Sequence, residues 1–214
     1  MSMTGGTVDG ADGSAIIVNP AGSTATFQGT LDNVTVGTAG VVHSGSVGGH
    51  AVWIEPAQQP ASRVVVKNSH LNGAQGNGIQ VLAGGNSGAD TTDVTFTNNV
   101  IRTTGNEPFY IQSGANSGDT NDMCADIGGT GGDNGPPGND FAGQAPSGLT
   151  DIFFNRRSIA AGAHLRLAGF DGNAANLTSY VQGRNVGNPT VFNNGQALEA
   201  GPASCLQPAL PTAP

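Results

Sequence analysis

The sequence predicts an all-β fold: a right-handed parallel β-helix, a solenoid of stacked coils, with an irregular C-terminal cap. Three observations carry that expectation. Glycine supplies 35 of 214 residues while only 10% are charged, against nearer a quarter charged in ordinary soluble domains. Short apolar runs alternate with polar residues at period two, the signature of half-buried strands. Three of these runs align on an asparagine, at Asn33, Asn68 and Asn98.

Each aligned segment has an apolar residue two before the asparagine and another three after it. These pairs are Leu31 and Val36, Val66 and Leu71, and Phe96 and Ile101. A second apolar strand follows each anchor, at Ala51 to Ile54, Gly78 to Val81 and Pro108 to Ile111. Alternation sends Val64 and Val66, Ile79 and Val81, and Val94 and Phe96 inward. One coil cannot bury its own apolar face, so it must stack on its neighbours. Asparagine tolerates the left-handed backbone of a tight corner, and stacked asparagines can bond to one another. Asn33, Asn68 and Asn98 are therefore read as a structural ladder, not as catalytic residues.

The first aligned coil carries an extra stretch, Gly37 to Gly49, expected as a loop on one face. Ala15 to Val18 and Thr24 to Phe27 supply an earlier partial coil. A fourth aligned coil is expected over Met123 to Thr130. Setting Ile127 against Phe96 then puts Gly129 at the asparagine position. Beyond it, Gly131 to Gly148 contains GGDNGPPGND and reads as a long loop. Ile152 to Phe154, His164 to Leu167, Leu177 to Gln182 and Thr190 to Asn193 are further candidate strands. The expected organisation is coils over 1–130, terminal coils and cap over 131–206, and a flexible tail over 207–214. Residues 1–10 are expected to be disordered or foreign to the fold, because SMTGG resembles part of an epitope tag.

Two cysteines, Cys124 and Cys205, in a lysine-poor, Gly/Asn/Thr-rich chain fit one disulfide and an oxidising compartment. The net charge is −8, and the seven basic residues form no phosphate-binding stripe, so nucleic acid is not an expected partner. No run approaches the roughly 18 apolar residues of a membrane helix. The N-terminus lacks a charged, apolar leader. A secreted or bacterial cell-surface location is thus inferred from composition and cysteines.

A terminal block runs through Cys124-Ala125-Asp126-Ile127, Arg156 and Arg157, and Leu165-Arg166-Leu167-Ala168-Gly169-Phe170. It ends with Tyr180-Val181-Gln182-Gly183-Arg184-Asn185 and Cys205. That order resembles the C-terminal region of large bacterial exported β-helix repeat proteins, adhesin-like or surface-displayed. The resemblance covers residues 60–206. It implies a right-handed β-helix and secretion or surface display, and it implies no catalytic residues. Gly129 departs from the corner pattern and puts one rung of the ladder in question.

The expected function is a non-enzymatic secreted or cell-surface module with a structural or adhesive role. One alternative is a carbohydrate-active enzyme or glycan-binding module on the same scaffold. The other is a self-assembling subunit of an extracellular fibre, joined end to end. The expected partner is a glycan or a host or cell-surface ligand. Its candidate surface combines Trp53 and His50, beside the insertion, with Asp122, Arg156 and Arg157. Trp53 offers an aromatic face for a sugar ring. No cofactor is expected beyond calcium at Asp119-Thr120-Asn121-Asp122, whose oxygens have calcium-like spacing. An ordinary turn is the better reading of that segment.

Overall fold

The computed structural model describes residues 1–20, 26–56, 61–85, 90–129 and 137–205. Thr24 and Ala25 of the early strand, Thr130, the first part of the Gly131 to Gly148 loop and the 207–214 tail lie outside the described residues.

Three parallel sheets run along a stack of coils, and each coil contributes to them in the same order. The first coil is β1 (Ser2–Thr4), β2 (Thr7–Val8) and β3 (Ile16–Val18). The second is β4 (Phe27–Asp32), β5 (Thr35–Val36) and β6 (Val52–Ile54). The third is β7 (Ala61–Lys67), β8 (His70–Asn72) and β9 (Ile79–Ala83). The fourth is β10 (Thr91–Thr97), β11 (Val100–Arg102) and β12 (Phe109–Ser113). The remaining strands are β13 (Asp122–Ile127), β14 (Ile152–Arg156), β15 (His164–Leu167), β16 (Val191–Gly195) and β17 (Glu199–Ala200). A seven-stranded sheet takes the first strand of every coil, a four-stranded sheet the second, and a six-stranded sheet the third. The chain is thus an all-β parallel solenoid.

Register follows the apolar pattern. Val64 pairs with Val94, Val66 with Phe96, and Phe96 with Ile127. Ile79 and Val81 face Phe109 and Ile111. All of these except Ile127, at 2%, are 0% exposed, and full burial of each such side chain contributes about 1.5–3 kcal/mol. The inner faces of the three sheets form one continuous core. Phe109 lies edge-on to both Phe96 and Phe141, at 5.4 and 4.8 Å between ring centroids.

The coils extend further towards the N-terminus than expected. Residues 1–10 are not separate from the fold: Ser2, Met3 and Thr4 pair with Thr30, Leu31 and Asp32, and Thr7 and Val8 pair with Thr35 and Val36. Within 131–206 the coils continue among the described residues. Asp140 bridges Val100 and Val186, which continues the short sheet, while β14 to β17 continue the other two. The Gly37 to Gly49 insertion also returns to the stack, where Ser46 bridges Ala11 and Ala74.

Leu177 to Gln182 is not a strand. It lies in helix α1 (Leu177–Arg184). Asn173 Oδ1 accepts the Ala175 N–H and starts the 3-10 turn Ala174–Asn176 that leads into it. Leu177 and Val181, one helical turn apart, enter the core. The Tyr180 hydroxyl donates to the Ala168 carbonyl. A helix with so few apolar residues forms because it places these two against the stack, not through propensity.

The asparagine corners divide into an outer and an inner row. Asn33, Asn68 and Asn98 have φ of 57°, 54° and 53°, the left-handed conformation a non-glycine corner needs. Asn98 Nδ2 donates to Asn68 Oδ1 at 2.8 Å. Asn68 Nδ2, however, donates to Asp32 Oδ1 at 2.7 Å, so the expected side-chain link to Asn33 is replaced by the stronger carboxylate acceptor. The buried ladder sits one residue later. Ser69 N–H donates to Asn99 Oδ1, Asn99 N–H to Asn139 Oδ1, and Asn139 N–H to Asn185 Oδ1, each at 3.1 Å. At Gly129 the backbone N–H donates to the Arg184 carbonyl, and a side chain on neighbouring Gly128, at φ 100°, would collide with that same oxygen. The fifth corner is thus closed by the end of α1, and Asn139 restores the ladder.

Candidate functional site

Alternation on the seven-stranded sheet sends one set of side chains inward and the other onto a charged outer face. Gln28 is in register with Arg63, and Arg63 with Asp93. Asp93 is in register with Cys124, Cys124 with Arg166, and Arg166 with Glu199. A parallel row carries Thr91, Asp122 and His164. Sequence-distant residues thereby become neighbours at the spacing of adjacent strands.

The charges pair across this face. Arg63 Nη2 lies 3.6 Å from Asp93 Oδ2, and Arg166 Nη1 lies 2.5 Å from Asp122 Oδ2. Glu199 Oε1 is 2.7 Å from Arg156 Nη1 and 2.8 Å from His164 Nδ1, and Glu199 Oε2 is 3.6 Å from Arg166 Nε. Two adjoining depressions, of about 230 and 350 Å³, share Thr91 and Asp93 and form one groove. Pro202, Ser204 and Cys205 line one end of it. The disulfide from Cys124 to Cys205 holds that wall, with 5.4 Å between the Cα atoms.

Burial pushes the Asp93 carboxyl up to about 6; Arg63 pulls against this and Asp122 adds to it. Burial also raises Asp126 against the pull of Arg184, and raises Glu55 and Asp90. Hydrogen bonding by Asn68 lowers Asp32. Asp151 is pushed up by burial, but the donors around it, led by Thr190, bring it below its ordinary value. Asp93 holds its proton more tightly folded than unfolded. Its stabilising contribution is complete below about pH 4 and disappears as pH rises through 6. The lowered pair contributes above about pH 4 and loses that contribution in stronger acid. Urea unfolding is therefore expected to show greater stability at pH 5 than at pH 8, by about 1.5 kcal/mol from Asp93 alone. A flat or opposite profile would contradict this assignment.

The sequence-predicted surface does not assemble in one place. Asp122 lies in the groove. Arg156 reaches the groove's far end through Glu199, while its Nε donates to the Ala163 carbonyl. Arg157 follows the same strand, and its backbone N–H donates to Ser113. Trp53 and His50 belong to the side of the six-stranded sheet. The Asn77 N–H donates to His50 Nδ1 at 2.9 Å, burial lowers the imidazole pKa, and the ring stands edge-on to Trp53 at 6.0 Å. On that sheet Trp53, Gln80, Tyr110, Phe153 and Phe192 share one outward row. Tyr110 and Phe153 stack at 5.3 Å with 8° between planes, so their faces are turned to each other.

In the calcium-like segment Asp119 closes a turn begun at Asn116, and Asp122 opens β13. Asp119 Oδ2 accepts the N–H groups of Gly85, Ala115 and Asn116 at 2.6–2.9 Å. Among the described residues no group of three His, Cys, Asp or Glu side chains could hold a metal ion. Sequence reasoning missed Arg63, Asp93 and Arg166 as neighbours. The available signal was their shared outward position in the aligned strands. No protein-family model, curated protein or solved structure matches the chain.

Proposed function

We propose that the chain is a non-catalytic module of an exported, surface-displayed protein, a right-handed parallel β-helix with a structural and adhesive role. The observation that carries this reading is the Cys124–Cys205 disulfide, which joins the last strand region to a coil 81 residues earlier. Such bonds persist in oxidising compartments. Right-handed winding is supported by the strong handedness rule for connections between parallel strands. A non-catalytic role is supported by the groove, where Arg63 lies against Asp93 and Arg166 against Asp122.

Antibody labelling and protease treatment of intact cells of the source organism test the reading. The module is expected to be accessible from outside, with its two cysteines joined. Recovery from the cytoplasm with both thiols free would overturn the export reading. Turnover of a polysaccharide that is abolished by Asp122→Asn would overturn the non-catalytic one.

A further inference from the structure

We propose that the groove on the seven-stranded sheet binds a neutral, hydroxyl-rich polysaccharide chain laid across the coils. This rests on the adhesive reading above and names its ligand class. Charge is the first argument. Two arginines and two aspartates stand as two ion pairs, so the groove has no net charge to attract an ion. The whole chain carries −8 and repels polyanions at long range. Carboxylates and guanidiniums side by side suit sugar hydroxyls, which donate and accept at once.

The second argument is unfilled hydrogen-bonding capacity. Asp122 Oδ2 takes Arg166, but the buried Asp122 Oδ1 has no hydrogen-bond partner among the described residues. Shielded polar atoms in this state are uncommon and costly. Asp122 Oδ1 requires a donor. A sugar O–H supplies one, and a neutral chain brings no carboxylate for Asp122 and the acidic protein to repel.

Shape is the third argument. The groove runs from Gln28 on the second coil to Arg166 four strands further along. At ordinary strand spacing that is a span of about 19 Å, which fits an oligosaccharide segment better than a single sugar. Thr91, exposed at the point shared by both depressions, marks its middle.

Calorimetric titration of the oxidised protein tests the proposal, with neutral gluco-, xylo- and manno-oligosaccharides set against oligogalacturonate. A neutral series is expected to bind, more tightly as the chain lengthens. Asp122→Asn, with its fold checked by circular dichroism, is expected to weaken binding about tenfold or more. Thr91→Ala, an exposed change with little effect on folding, should weaken it several-fold. Phe192→Ala, on the other sheet, should leave it unchanged. Binding of no neutral glycan, preference for the acidic one, or sensitivity to Phe192→Ala alone would each overturn the proposal. These outcomes are independent of where the protein resides in the cell, so failure of the export reading is distinguishable.

Discussion

Asn139→Ala is expected to destabilise the fold by about 3–5 kcal/mol, whereas Asn98→Gly should cost less than about 1 kcal/mol. Asn139 is 0% exposed. Its Oδ1 accepts both the backbone N–H and the side-chain amide of Asn99, and its Nδ2 donates to Phe96 O and Asn185 Oδ1. Alanine removes all four bonds. Phe96 O keeps the Gly128 N–H, and Asn185 Oδ1 keeps the Asn139 backbone N–H. The Asn99 backbone N–H and one of its amide hydrogens keep nothing, and Asn99 is also 0% exposed. Each donor left buried costs about 1–3 kcal/mol, and the lost amide leaves a void. Asn98, by contrast, is exposed and gives up one surface bond to Asn68, while glycine retains its left-handed φ of 53° without strain. Urea unfolding of the two variants measures the difference. Equal losses would show that the inner row contributes no more than the outer one.

That pair of residues also locates what the sequence could and could not reveal. The inward positions were legible because alternation at period two is a property of each strand alone: Val64, Val66, Val94 and Phe96 needed no knowledge of their neighbours. The corner conformation at Asn33, Asn68 and Asn98 was legible for the same local reason. The inner ladder was not, because it passes from Val34 through Ser69 to Asn99, Asn139 and Asn185, changing residue type at its first corners and spacing at its last ones. Only three-dimensional stacking shows that one oxygen of each of the last four serves the preceding corner. Residues 139–195 were obscured by two insertions, the glycine-rich stretch before Asn139 and helix α1, which break the spacing without breaking the stack. The groove suffered from a related problem. Asp93 taken singly is one acidic residue in a threonine-rich run. Its role depends on Arg63 one coil earlier and Asp122 one coil later, and that adjacency is set by register.

Replacing both cysteines, Cys124→Ala with Cys205→Ala, is expected to lower stability by about 4 kcal/mol, or roughly 10 °C in melting temperature for a chain of this size. The bond closes a separation of 81 residues, and the entropy it removes from the unfolded chain grows with the logarithm of that length. The folded state gives a second reason for a large effect. β17 is two residues long, and around it the Gly169 N–H donates to Pro202 O and the Gly201 N–H to Phe170 O. Without the covalent tie, so few bonds leave Cys124, Cys205 and Ala168, now buried together, open to water. Reductant should destabilise the native protein to the same extent and leave the double variant unaffected. A loss below about 1 kcal/mol would mean that the last strand frays independently of the coils. The same variant separates two roles of the bond. Pro202, Ser204 and Cys205 line one end of the groove, so glycan affinity should fall even under conditions where the coils remain fully folded.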